Sequence, residues 1–214
     1  MSKCKNIIIY GTGGLGRGIV DLIHSINKHS SNKWNIFGFV DDNERRKEIN
    51  GLKVLGGLNY LLDFQKDINV VLAFGSPKVK EKISKKLSTN THIWFPNLIH
   101  PSVEFSSYNK IGRGNVISKG VSLSTNIVIG DLNLIHYNCS IGHDVSMGDY
   151  NSIFPLTALS GYVSLENSIE VGTNSAIIPS MTIGNHAVIG AGSTVIQHVR
   201  ENTTVVGVPG RVIK

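Results

Sequence analysis

The chain has 214 residues, 41% of them hydrophobic and 17% charged, a globular balance that excludes a disordered chain and leaves room for one large domain or two small ones. Its net charge of +6 suits anionic partners; phosphorylated small molecules fit as well as nucleic acid, for which no binding motif is present. Two cysteines outside any metal-ligand or CxxC spacing, an opening apolar run too short for a signal peptide and no apolar stretch of about 18 residues predict a cytoplasmic protein with reduced thiols and no membrane partner.

Residues 5–10 (KNIIIY) predict a strand running into GTGGLGRG, in which Gly11, Gly13 and Gly16 satisfy GxGxxG. Ile19, Val20, Leu22, Ile23 and Ile26 recur at helical spacing directly behind it. A second strand over residues 35–40 ends in Asp41 and Asp42, and a third over residues 69–74 ends in Gly75, Ser76 and Pro77. The densest basic run, residues 78–86 (KVKEKISKK), reads as the solvated face of a helix. The order β-α-β-α-β with right-handed crossovers predicts a small parallel sheet in residues 1–100. One reading is a dinucleotide site with Asp41 on a ribose. The 95 or so residues before the repeats supply only one mononucleotide-binding half, so a single nucleotide with its phosphate at the glycine turn fits better. Pro96 and Pro101 restrict residues 97–102, which read as a junction.

A six-residue repeat then dominates. Ile111, Ile117, Leu123, Ile129, Ile135, Ile141, Met147, Ile153, Leu159, Leu165, Val171, Ile177, Ile183, Ile189 and Val195 are all aliphatic or Met without a slip of register. Neither helix nor ordinary strand has this period, whereas a coil of three short strands with one inward anchor each does. Three hexads make an 18-residue coil, so residues 111–200 predict five coils. Glycine follows the anchor at Gly112, Gly130, Gly142, Gly148, Gly172, Gly184 and Gly190, where a turn is expected. The same spacing stacks Asn115, Asn133 and Asn151 into an expected structural ladder. Cys139, two before an anchor, reads as core and not as a nucleophile.

The glycine turn, Asp41-Asp42, the LIHPS segment, the hexads, Gly142-His143-Asp144 and Val206-Gly207-Val208-Pro209 together resemble the nucleotide-aminosugar N-acetyltransferases of the hexapeptide-repeat superfamily, in the sialic-acid O-acetyltransferase-like branch. The resemblance covers nearly the whole chain. It implies an α/β half-Rossmann domain (1–100), an all-β left-handed parallel β-helix (101–200) and a C-terminal tail (201–214), assembled as a homotrimer with sites between subunits. The implied reaction is acetyl transfer from acetyl-CoA to the amine of a UDP- or dTDP-linked 4-amino-dideoxy sugar, in a pathway supplying surface polysaccharide or glycoprotein sugars.

A histidine suits removal of a proton from an attacking amine, and by resemblance His143 is the base and Asp144 its partner; a direct contact requires a turn between them, the alternative being that Asp144 acts across a subunit interface. Resemblance further implies that Gly13, Gly14, Leu15, Asp41, Asp42, Gly75 and Lys78 hold the nucleotide sugar. Ser152, Gly161, Thr173, Thr182, Pro209 and Arg211 correspond to positions along the acetyl-CoA groove. Three positions depart from the pattern: Leu15 and Ser152 stand where histidines are usual, and His136 where an asparagine is. Zinc held by His136 and His143 lacks a third ligand at suitable spacing, so no metal is expected. The rival readings are O-acetylation of a sialic acid or other hydroxyl sugar, a non-catalytic trimeric scaffold, and an NAD-binding protein.

Overall fold

The computed structural model describes residues 4–43 and 45–214. Lys5–Tyr10 (β1) leads into Gly14–His29 (α1) and Trp34–Val40 (β2). A small hairpin, Glu48–Ile49 (β3) with Leu52–Lys53 (β4), and a short helix, Leu58–Leu62 (α2), precede Ile68–Leu72 (β5). Pro77–Leu87 (α3) and Ile93–Trp94 (β6) complete the unit. The sheet order is β2-β1-β5-β6, all parallel, so the expected sheet gains a fourth strand. Ile7, Ile8 and Ile9 are all fully buried, as in a parallel strand covered on both faces.

The hexads form fifteen two-residue strands, from Lys110–Ile111 to Thr194–Val195. Each strand pairs in parallel with the one 18 residues away, giving three flat faces. The first face contains Val116–Ile117 and its repeats, the second Ser122–Leu123, the third Lys110–Ile111. Thirteen of the fifteen anchors are buried; Ile111 and Leu123, in the lowest coil, are partly covered. A second inward row, two residues before the anchors, adds Val121, Ile127, Cys139, Val145, Val163 and Ile169.

The solenoid extends beyond the hexad series at both ends. Leu98–Ile99 pairs with Val116–Ile117, and Thr204–Val206 stacks on Val188–Ile189 before Arg211–Val212 folds back antiparallel to it. Stepping back 18 residues from Asn115 and Ile117 reaches Asn97 and Ile99, so this coil was present in the repeat. Asn97 heads the ladder: its Oδ1 accepts from the Asn115 N–H at 2.9 Å, and the pattern continues through Asn133 and Asn151 to Ile169.

The glycines after the anchors serve a different purpose from the expected one. The turn is made three residues after every anchor but the last, by residues with φ near +60° that are mostly not glycine, among them Asn126, Leu132, Asp144, Tyr150 and Tyr162. The glycine is required instead because the next coil passes close by. A Cβ on Gly172 would stand 2.5 Å from the backbone nitrogen of Ala191.

The α/β unit packs on the first face and on the corner between third and first faces. Leu98, Val116 and Leu134 join Ile7, Ile9, Ile19 and Leu22 in one core. Leu132 and Tyr150 join Ile8, Tyr10 and Leu87 in another. The basic run is only partly solvated: Val79 faces water, whereas Lys80 is 2% exposed.

Candidate active site

His143 and Asp144 lie on the corner between the second and third faces, across the prism from the α/β unit. Asp144 has φ +58°, the turn that lets neighbouring side chains meet, and His143 Nδ1 lies 2.8 Å from Asp144 Oδ2. A carboxylate can only accept, so Nδ1 carries the proton and Nε2 of the neutral ring keeps its lone pair. Asn126, one coil below, donates to the other carboxylate oxygen at 3.3 Å. The ring stands edge-on to Tyr162, centroids 5.0 Å apart, and lies over Gly161, where a Cβ would come within 2.6 Å of Nε2. The imidazole is therefore fixed in tautomer and direction while its side chain stays 52% exposed.

The glycine turn is packed tightly on one side and open on the other. Gly11, at φ +115°, passes close to Ala73, and a Cβ on Gly16 would strike the Gly11 carbonyl at 1.9 Å. Gly13 and Gly14 by contrast open onto free space. Gly13 caps α1 without a side-chain hydrogen bond, and the first turn of α1 holds no acidic residue, a setting suited to an anion. Because β1 and β5 are neighbours whose connections run in opposite directions, the crevice at their carboxyl ends is the topological switch point. Gly75 forms its other side and rests on Phe154 of the solenoid.

The carboxylates expected on the nucleotide are engaged in shaping this crevice. Asp41 accepts from the Thr12 N–H (2.9 Å) and hydroxyl (2.7 Å), bracing the glycine turn. Asp42 accepts from Tyr10 at 2.5 Å and from the Leu58 N–H at 2.7 Å. Burial, then the Asp42 hydrogen bond, raises the Tyr10 phenol well above its usual pKa. Leu15 borders a cavity of about 220 Å3 between α1 and the first face, with Gly18, His100, Lys119 and Tyr137. Lys78 borders a cleft of about 640 Å3 between α3 and the upper coils, with Lys82, Lys85, Glu170 and His186. Neither holds His143.

The expected acetyl-CoA positions are dispersed. Gly161 is beside His143, and Thr182 is exposed on the third face one residue past Met181. Thr173 is exposed at the corner between first and second faces. Pro209, after a cis peptide bond, and Arg211 are exposed on the terminal hairpin. Ser152 is fully buried on the first face beneath the α/β unit, and its Oγ has no hydrogen-bond partner among the described residues. Cys139 is buried, which pushes its thiol up to about 11 and leaves it without nucleophilic thiolate. Sequence reasoning missed His136 as a shaped residue: its Nδ1 accepts the Tyr137 N–H, its ring stacks on Phe154, and burial lowers its pKa. Among the described residues no group of three or more His, Cys, Asp or Glu is placed to hold a metal, and no helix is long and apolar enough to cross a membrane.

Residues 6–87 match the PglD N-terminal domain family. The whole chain superposes on a histidine-to-asparagine mutant of perosamine N-acetyltransferase from Caulobacter crescentus, solved with CoA and GDP-perosamine, at TM-score 0.87 and 24% identity, covering 98% of this chain and 97% of that one. The acetyltransferase domain of PglB from Neisseria gonorrhoeae, solved with acetyl coenzyme A, gives 0.87 at 21% identity, covering 98% and 99%. WeeI from Acinetobacter baumannii gives 0.84 at 24%, covering 99% and 100%. No curated protein matches the sequence. These likenesses establish the fold from end to end: an α/β unit on a left-handed parallel β-helix.

Proposed function

We propose that the chain transfers the acetyl group of acetyl-CoA to the amine of a nucleotide-linked amino sugar. The observation that carries this reading is the His143–Asp144 pair, which fixes an exposed imidazole with its Nε2 lone pair outward over Gly161. The amine nitrogen attacks the thioester carbonyl while Nε2 takes its proton, so a C–N bond forms and an oxyanion develops. Collapse breaks the C–S bond, and the imidazolium returns the proton to the departing thiolate. Among the described residues no solenoid hydrogen bond uses the Gly161 N–H, which is thus available to the oxyanion. The likeness to acetyltransferases solved with CoA or acetyl-CoA supports the same chemistry.

The nucleotide belongs in the switch-point crevice, its phosphates at Gly13 and Gly14 and its other side along Gly75, within the unit that matches the PglD N-terminal domain. That crevice favours a nucleotide sugar over a free hydroxyl sugar. In one chain the crevice and His143 lie on opposite sides of the prism, so a second copy has to bring its His143 corner to this crevice. A closed ring of three copies satisfies every site equally. Thr173, Thr182, Pro209 and Arg211 would then line the groove for the CoA chain.

The test is CoA release from acetyl-CoA with a panel of UDP-, dTDP- and GDP-linked 4-amino sugars, comparing wild type with His143→Ala. Turnover of one sugar that falls about 10²–10⁴-fold in the variant is expected. Wild-type turnover in His143→Ala removes the assigned base, and a wild type that neither turns over nor binds acetyl-CoA removes the reaction.

A further inference from the structure

Helix α3 turns Pro77, Lys80, Ser84 and Leu87 inward, so a lysine occupies a core-facing position. Its Nζ donates to the main-chain oxygens of Leu132 at 3.1 Å and Asn151 at 2.9 Å. These carbonyls belong to successive coils: Leu132 is a corner residue at φ +56°, and Asn151 is part of the asparagine ladder. Among the described residues no carboxylate touches the amine; Glu170 acts on it only at a distance. An amine buried without a counter-ion is costly, and burial lowers it to about 7. A methionine would fill the same space without that cost, but would leave the Leu132 oxygen, which accepts from no other group among the described residues, without a donor. The two effects oppose each other, so stability alone does not account for the lysine.

Direction does. Apolar contacts tolerate sliding, whereas an amine held by two fixed carbonyls has one register. Two further polar contacts lie along the same edge of α3. Ser84 Oγ approaches the Tyr150 hydroxyl at 3.3 Å, and Glu81 accepts from Ser168 Oγ at 2.9 Å. The N-terminal end of this helix, with Gly75 before it, is one wall of the crevice; Gly13 and Gly14 are the other. We propose that Lys80 is a positioning residue that fixes α3 on two coils of the β-helix and so sets the width of the nucleotide crevice. The proposal rests on the crevice being the nucleotide site.

Calorimetric titration of wild type, Lys80→Met and Lys80→Gln with UDP, dTDP and GDP tests it, beside thermal melting and steady-state kinetics. A displaced wall should weaken binding of the preferred nucleotide, and raise KM for the nucleotide sugar, by about tenfold or more in Lys80→Met, while kcat and KM for acetyl-CoA stay within about twofold. Melting should stay within a few degrees of wild type, because the relieved amine desolvation offsets the unpaired Leu132 carbonyl. Lys80→Gln, which keeps a donor, should fall between the two and carries the test if the Met variant does not fold. Unchanged nucleotide affinity in a folded variant overturns the proposal, as does a parallel loss of both KM values and of melting temperature. A wild type that binds none of the three nucleotides overturns the crevice reading itself, and the proposal with it.

Discussion

Gly161→Ala tests the placement of the proposed base directly. The added methyl would stand 2.6 Å from both Cε1 and Nε2 of His143. Such contacts relax to about 3.5 Å, so the ring must retreat by about 0.9 Å. The retreat also strains the 2.8 Å hydrogen bond to Asp144 and turns Nε2 away from its present line. Misplacing a catalytic group by about 1 Å costs about 100-fold in rate, or about 2.7 kcal/mol in the barrier. The ring is half-exposed, so the displacement is toward solvent and costs an exposed hydrogen bond and not core packing; folding should be spared, with melting within about 2 °C of wild type. Gly142→Ala gives the contrast. Its methyl would meet the Gly161 nitrogen at 2.6 Å and the Ser160 carbonyl carbon at 2.7 Å, backbone atoms that cannot swing away. That variant should lose about 1–3 kcal/mol of stability. CoA release under saturating substrates and thermal melting read both. A Gly161→Ala protein with wild-type kcat would refute the assignment of His143 as a base acting from this position.

Asp144→Ala should lower kcat about 10–100-fold with little change in either KM, since the imidazole loses its orienting acceptor while the binding surfaces remain; steady-state kinetics decide. Asn133→Ala removes a buried side chain that accepts from the Asn151 N–H and donates to the Gly148 carbonyl, and should cost about 2–3 kcal/mol in urea unfolding. Lys80 should make stability pH-dependent. Its folded pKa of about 7 lies below the unfolded 10.5, so the unfolded chain holds the extra proton between these values and stability rises with pH across that window. From pH 7 to pH 9, wild type should gain about 2–3 kcal/mol relative to Lys80→Met, and equal pH profiles would show that the amine is not buried as described.

The glycine turn, β1, β5 and the anchors are legible in the sequence because each depends on local spacing, and the hexads repeat the same local demand fifteen times over. The His143–Asp144 contact was legible for the same reason, since the two residues are adjacent and need only the turn that the six-residue period supplies. Lys80 was not legible. Within residues 78–86 its charge is like its neighbours', and only the packing of α3 on Leu132 and Asn151, far along the chain, turns it inward. Ser152 likewise reads as one more outward strand position until the α/β unit covers it.

The solenoid follows from the residue pattern alone, since a period of six aliphatic anchors is compatible with three-strand coils and with neither helix nor ordinary strand. So does the ladder, once Asn97 is counted with Asn115, Asn133 and Asn151. Long-range packing sets which face the α/β unit covers, puts the crevice and His143 on opposite sides of one chain, and turns Asp41 and Asp42 to brace the turns beside them. Those outcomes depend on contacts between segments tens of residues apart, and a local pattern of residue types does not specify which distant surface it will meet.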